Sequence, residues 1–200
     1  VIKVLAIMGS PRKKMNNDTL LDNFLLGLKE KSEEVEIERI NAADLNIAGC
    51  TACDACSHKL GCVIKDDMKG LIEKFNDANM IIVTSPLYFN SITAQLKALI
   101  DRNQVIWSSK YALKNSLIDR NKVRFGFVLI TGGAKEQPYG LSAVEPIFDL
   151  FFRSVNTEYK GNFFISNVDE KPVYEDKEVQ HKARAFGESL VVDYLKETIQ

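Results

Sequence analysis

Hydrophobic and polar positions along the chain follow two alternating periods. Val1–Met8 is a short, apolar, β-rich run. Thr19–Lys29 then places Leu20, Phe24, Leu25 and Leu28 at helical spacing. Val35–Ile40 reads VEIERI, the alternation of a strand exposed on one face. Met68–Phe75 predicts a helix with Asp66 or Asp67 as its N-cap, and Met80–Thr84 (MIIVT) a buried strand. A helix over Ala94–Arg102, a strand over Val123–Ile130, a helix over Leu141–Phe152 and a strand over Tyr159–Ile165 follow in order. The last helix runs from about Lys177 to Lys196, with Val179, Ala183, Phe186, Leu190 and Tyr194 as its buried stripe.

Regular alternation of strand and helix predicts a parallel sheet covered on both faces. Five strands and five helices fit a doubly wound, flavodoxin-like α/β domain with strand order 2-1-3-4-5. One domain is expected over residues 1–200, with a cysteine-rich loop at 41–66. Two stretches are long for loops, Asn41–Lys65 and Val105–Lys122, and such stretches are functional or conceal further elements. Trp107 and Tyr111 in the second, and Leu150–Phe152, are candidates for burial against a second subunit or within the monomer.

Composition narrows the function classes. The chain has 200 residues, 46% hydrophobic and 26% charged, and a net charge of −1. No global positive field exists to attract nucleic acid or an anionic membrane. No apolar run approaches the ~20 residues of a membrane span, and VIKVLAIM lacks the flanks of a signal peptide. The expectation is a cytoplasmic protein without nucleic-acid or membrane partners. The first residue is Val, as in a processed or trimmed chain.

Ligands of such sheets sit beyond the carboxyl ends of the strands, and three loops there carry candidate chemistry. After strand 1, Gly9 allows a tight turn, Ser10, Asn16 and Asn17 offer short polar groups, and Arg12 offers a fork of donors. The helix that follows supplies free N–H groups, so the loop suits a phosphate. An ordinary polar loop capped by Asn17 or Asp18 is the competing reading, and neither GxGxxG nor GxxxxGK[ST] is present. After strand 3 comes Ser85-Pro86-Leu87-Tyr88-Phe89-Asn90, where adjacent aromatics suit a flat heterocycle or simply cover the core or an interface. After strand 4, Thr131-Gly132-Gly133 lets backbone approach a ligand and bare its N–H groups, or forms a plain turn. A phosphate at one end and a flat ring at the other outline FMN.

These motifs resemble those of the NAD(P)H-dependent FMN reductase family: GSPR-x3-N, SPLYFNSITAQLKALIDR and TGG, within Val1 to about Gly133. The resemblance implies that Ser10, Arg12, Asn16 and Asn17 hold the FMN phosphate. It also implies that Pro86–Asn90 line the isoalloxazine and that Thr131, Gly132 and Gly133 approach its other side. Met15-Asn16-Asn17 stands where the family has Gly-Asn-Thr or Ser-Asn-Thr, which removes a hydroxyl at Asn17. The Asp101-Arg102 pair ending the helix reads as an ion pair or interface contact.

All four cysteines lie in one short segment, as Cys50-x2-Cys53-x2-Cys56-x5-Cys62. Four thiolates are what an iron–sulfur cluster takes. Zinc competes poorly, because its CxxC pairs are normally separate and here they share Cys53, with His58 as a spare ligand. Disulfides do not suit a reducing cytosol, and bare or redox-active thiols remain open. The run followed by CVIKDDM resembles the iron–sulfur flavoprotein subgroup of the same family. That resemblance implies one 4Fe-4S cluster on Cys50, Cys53, Cys56 and Cys62, and dimers or tetramers.

The leading expectation is an FMN-dependent oxidoreductase or electron-transfer flavoprotein. Its donor is NAD(P)H or a ferredoxin, its acceptor a small molecule, and the flavin performs the chemistry in place of a catalytic side chain. N–H groups near Gly132 and Gly133 are expected to stabilise the reduced ring. The alternatives are a cluster-free NAD(P)H-dependent FMN or quinone reductase, and a zinc- or thiol-based redox sensor on the same scaffold.

Overall fold

The computed structural model describes residues 1–198. Five strands, β1 (Ile2–Met8), β2 (Val35–Asn41), β3 (Met80–Pro86), β4 (Phe125–Thr131) and β5 (Glu158–Ile165), form one sheet in the order β2-β1-β3-β4-β5. Every pairing is parallel, with Ile7 opposite Ile40 and Val83 and, on the next pair, Val83 opposite Val128. The expected flavodoxin-like order is the order found.

Alternation along the three central strands divides the apolar side chains between two cores. Leu5, Ile7, Ile81, Val83, Val128 and Ile130 face one side. There they meet α3 (Met68–Asp77), α4 (Ala94–Arg102), α5 (Gln104–Tyr111) and α6 (Glu145–Ser154). Val4, Ala6, Met8, Met80, Ile82 and Leu129 face the other side, against α1 (Asn16–Lys31) and α7 (Lys177–Thr198). A one-turn helix, α2 (Ala55–His58), sits within the cysteine segment.

Several expectations need correction. The stretch after Arg102 is not a loop: α5 occupies Gln104–Tyr111, and it buries Ser108, Ser109 and Lys110 beside Val105 and Ile106. Those polar residues hide its period, and they are buried because they are bonded. The Lys110 ammonium donates to the carbonyls of Arg153 (2.7 Å) and Ser154 (3.3 Å) at the end of α6, where a helix dipole favours a cation. In α7 the buried stripe is rotated to include Gln180, Gly187 and Val191, while Phe186 lies 39% exposed over Phe127 and Phe163. Phe151 and Phe152 are buried within the monomer, and Leu150 is exposed.

The α1–α7 contact depends on two glycines. A Cβ on Gly27 would lie 2.0 Å from the Arg184 carbonyl oxygen, and one on Gly187 would lie 2.1 Å from that of Phe24. Neither helix backbone can withdraw without opening the second core. Gly187→Ala is therefore expected to destabilise the protein by about 1–3 kcal/mol, the usual cost of overpacking, as a lower urea midpoint at unchanged slope.

Candidate functional site

Parallel strands deliver the three candidate loops to one edge of the sheet, where hydrogen bonds join them. The Gly9 N–H donates to the Thr84 carbonyl at 2.7 Å, and the Thr93 hydroxyl donates to the Gly9 carbonyl at 2.6 Å. The Leu87 N–H donates to the Thr131 carbonyl at 2.8 Å. Asn17 is buried at the centre. Its Nδ2 donates to Thr84 Oγ1 and its Oδ1 accepts from Thr131 Oγ1, both at 2.9 Å. Thr93, which also caps α4, was not anticipated; its signal is a threonine immediately before an apolar helical run.

In the first loop, α1 begins at Asn16 behind Met15 and has no side-chain cap. The expected cap by Asn17 or Asp18 is not made: Asn17 is spent on the two threonines, and Asp18 accepts from the Lys14 N–H and pairs with Arg39. Arg39 thereby offsets the negative charge in the first turn of α1. Ser10 is buried, its Oγ accepting from the Arg12 N–H at 3.2 Å, and the Arg12 side chain is exposed. The Asn16 side chain points inward, its Oδ1 accepting from the Val173 N–H at 2.9 Å. Asn16 and Asn17 thus present backbone, not amides, at the helix start.

In the second loop, Tyr88 and Ser91 exchange backbone hydrogen bonds of 2.8 and 3.0 Å around Phe89 and Asn90. Both central residues are left-handed, with φ of 50° and 56°, which defines a type I′ turn. Asparagine tolerates this conformation; an aromatic residue does so only under strain. Phe89 is fully exposed and Tyr88 is 41% exposed, so neither covers the core. Ser85 is interior, donating to the Pro86 carbonyl at 2.9 Å, and Leu87 packs on the first core. In the third loop Thr131 and Gly132 are buried. The Gly132 N–H already donates to the Ile165 carbonyl at 2.7 Å, so it is not free to meet a reduced ring. A Cβ on Gly133 would lie 2.4 Å from Asp169 Oδ2, so a larger residue there would require that carboxylate to move.

The cysteine segment leaves the same edge after β2. Ala52 and Asp54, at φ of 51° and 58°, curl the chain on either side of Cys53, and Gly61 at 97° turns it before Cys62. All four cysteines are free thiols, and all four line one cavity of about 460 Å³ closed by Arg102 and Val105. Cys50 and Cys53 are exposed; Cys56 and Cys62 pack against the first core. Among the described residues, no three His, Cys, Asp or Glu side chains are gathered closely enough to hold a single metal ion. His58 is exposed beside Asp54 and does not line the cavity.

Arg102 was expected in an ion pair at the helix end or at an interface. It is instead an interior residue, 2% exposed, and its ion pair is with Asp66. Asp101 pairs separately with Lys97. The expected capping of α3 by Asp66 or Asp67 is only partly made. Asp67 precedes the helix without capping it, and Asp66 accepts from the Met68 N–H at 3.2 Å.

Comparisons with known proteins agree with this geometry. The chain matches the family described as NADPH-dependent FMN reductase over residues 2–156, and it belongs to that family. Within the family it falls in the iron–sulfur flavoprotein subgroup. An iron-sulfur flavoprotein of Methanosarcina thermophila is 37% identical over 134 residues, 67% of this chain and 65% of that protein. One of Methanocaldococcus jannaschii is 32% identical over 169 residues, 84% of this chain and 79% of that protein. The chain spans about half to two-thirds of the length of the first curated relatives it matches. Among solved structures, an azoreductase of Bacillus anthracis shares the fold at TM-score 0.70 and 13% identity, covering 96% of this chain and 99% of that one. A flavodoxin from the domain Archaea does so at TM-score 0.56 and 9% identity, covering 96% and 99%.

Two outcomes follow from the geometry. Phe89→Gly relieves the left-handed strain and is expected to raise stability by about 1 kcal/mol in urea unfolding. The second concerns Asp66. Burial pushes its carboxyl up, but hydrogen bonds from Arg102 and from the Ala48 and Met68 amides outweigh this and hold it below the ordinary 3.8. A depressed folded-state value contributes stability that is complete above the unfolded value and is lost as pH falls through the folded one. Protection of the Ala48 amide from hydrogen exchange is therefore expected to persist at about pH 5 and to collapse only below the ordinary carboxylate range.

Proposed function

We propose that the protein is an FMN-dependent oxidoreductase of the iron–sulfur flavoprotein type. It takes electrons from NAD(P)H or a ferredoxin and passes them to a small-molecule acceptor. The observation that carries the reading is the placement of α4. Its first turn is fixed to the flavin shelf through Thr93, and its last residue, Arg102, closes the cavity lined by the four cysteines. Nine helical residues separate the two ends by roughly 13 Å.

The residues present fit both groups. For FMN, the uncapped N–H groups of Asn16–Asp18 with Arg12 and Ser10 would take the phosphate, with the helix dipole adding attraction. Tyr88 and Phe89 would cover the ring, which gives the strained turn a purpose, while Pro86, Leu87, Asn90 and Gly133 supply its edges. Asn17, Ser85, Thr131 and Gly132 hold these parts in place from beneath. For a 4Fe-4S cluster, the donor set is four thiols around one cavity, spread too widely for a single ion. When bound, FMN supplies two-electron and one-electron chemistry and the cluster one-electron chemistry. The chain's own part is to fix the flavin, hold the thiols unbridged, and set the spacing between the two sites.

No helix among the described residues is long and apolar enough to cross a membrane, which is compatible with work in the cytoplasm. The proposed dimer or tetramer has a surface available: Ile100, Trp107, Ile147 and Leu150 line an open groove among α4, α5 and α6.

Anaerobic reconstitution tests the reading. The expected product binds FMN and contains about four irons and four sulfides per chain. Cys53→Ser is expected to lose the iron and keep the flavin. Flavin without iron or sulfide would leave the cluster-free reductase. A colourless zinc protein that binds no flavin would overturn the proposal.

A further inference from the structure

Arg102 does more than close one wall of the cysteine cavity. The segment holding all four cysteines leaves the sheet and returns through a narrow neck, and the guanidinium sits in that neck. Nη1 donates to the Ala48 carbonyl at 2.9 Å on the outgoing strand of the neck. Nη1 and Nη2 donate to the Asp66 carboxylate at 2.5 and 3.1 Å on the returning strand. Asp66 Oδ2 also accepts from the Ala48 N–H at 3.1 Å, so the ion pair and the backbone of both strands form one network. Nη2 reaches further, to the Ile64 carbonyl and to Cys62 Sγ, each at 3.5 Å.

Burial makes this arrangement unusual. The Arg102 and Asp66 side chains are 1% and 5% exposed, and the buried Arg102 Nε has no partner. A buried ion pair is a poor source of stability compared with apolar packing, and an unsatisfied N–H adds to its cost. What it supplies is position: the N–H groups of Nη1 and Nη2 form a fixed fork that is satisfied by both sides of the neck together. The N–H on Cys62 Sγ adds an electrostatic role, because hydrogen bonds to cluster sulfurs and nearby charge set the reduction potential. Reduction by one electron adds one negative charge to a site that already carries four thiolates, and a fixed guanidinium at Cys62 favours that addition.

We infer that Arg102 is a positioning residue for the cluster: with Asp66 it holds the cysteine segment in its binding shape before the cluster arrives, and through Cys62 it raises the potential of the bound cluster. The inference rests on the iron–sulfur reading of the four cysteines.

The test compares wild type, Arg102→Lys and Asp66→Asn. FMN binding serves as the check that each has folded. Without metal, trypsin cleavage at Lys59 and Lys65 is expected to speed up at least tenfold in both variants. After anaerobic reconstitution, with dithionite as electron donor, the cluster of Arg102→Lys is expected to be at least tenfold harder to reduce, a shift of about 59 mV for one electron. Asp66→Asn keeps the guanidinium at Cys62 and is expected to shift less. A flavin-binding Arg102→Lys protein with the wild-type cleavage rate and potential would overturn the inference. If wild type itself takes up no iron, the iron–sulfur reading fails, and the cleavage rates still decide the clamp. If Arg102→Lys does not fold, Asp66→Asn decides the clamp by the same cleavage measurement.

Discussion

A parallel sheet has to be covered on both faces, and the structure is organised around that requirement. Each strand must be followed by a crossover helix, so every strand ends at the same edge and every outgoing loop starts there. The side chains of β1, β3 and β4 obey the constraint residue by residue, with Ile7 and Val83 in one core and Ala6 and Ile82 in the other. Chemistry is then confined to the edge where the loops leave, because the faces are already occupied.

At that edge the protein separates scaffold from surface. Asn17, Thr84, Thr131 and Thr93 satisfy one another and the neighbouring backbone, while Asn167 Oδ1, past the end of β5, is buried without a partner. Arg12, Tyr88 and Phe89 stay exposed above them. The cysteine segment shows the same division: Cys56 and Cys62 rest on the core, while Cys50 and Cys53 stand outside it. Arg102 underlies the segment as Asn17 underlies the shelf, a buried polar residue whose partners come from distant parts of the chain.

Periodicity revealed the strands and the long helices because each presents a clear apolar face. It failed at α5, where Ser108, Ser109 and Lys110 are buried by hydrogen bonding and carry no hydrophobic signal. It misplaced the stripe of α7 for the opposite reason: Gly187 is buried because it is small, whereas Phe186 is large and remains at the rim. The loops could be located from the fold rule, and the cysteine spacing was visible outright. Which polar residues face inward was not visible, since Asn16, Asn17 and Arg102 look like surface residues until their distant acceptors are known. Arg102 and Asp66 are 36 positions apart, and no local pattern links them.

The two glycines between α1 and α7 bear on the order in which the protein is made. The family match ends at residue 156, yet α1 is covered by a helix that begins at Lys177, and Asn16 holds the N–H of Val173. On the ribosome, α1 emerges early and packs on β1, β3 and β4 as they form, but its contact with α7 waits until that helix has emerged. A nascent chain therefore leaves the side of α1 around Gly27 uncovered until residues 177–198 are made. The helix start behind the first loop is completed by a residue 157 positions further along the chain.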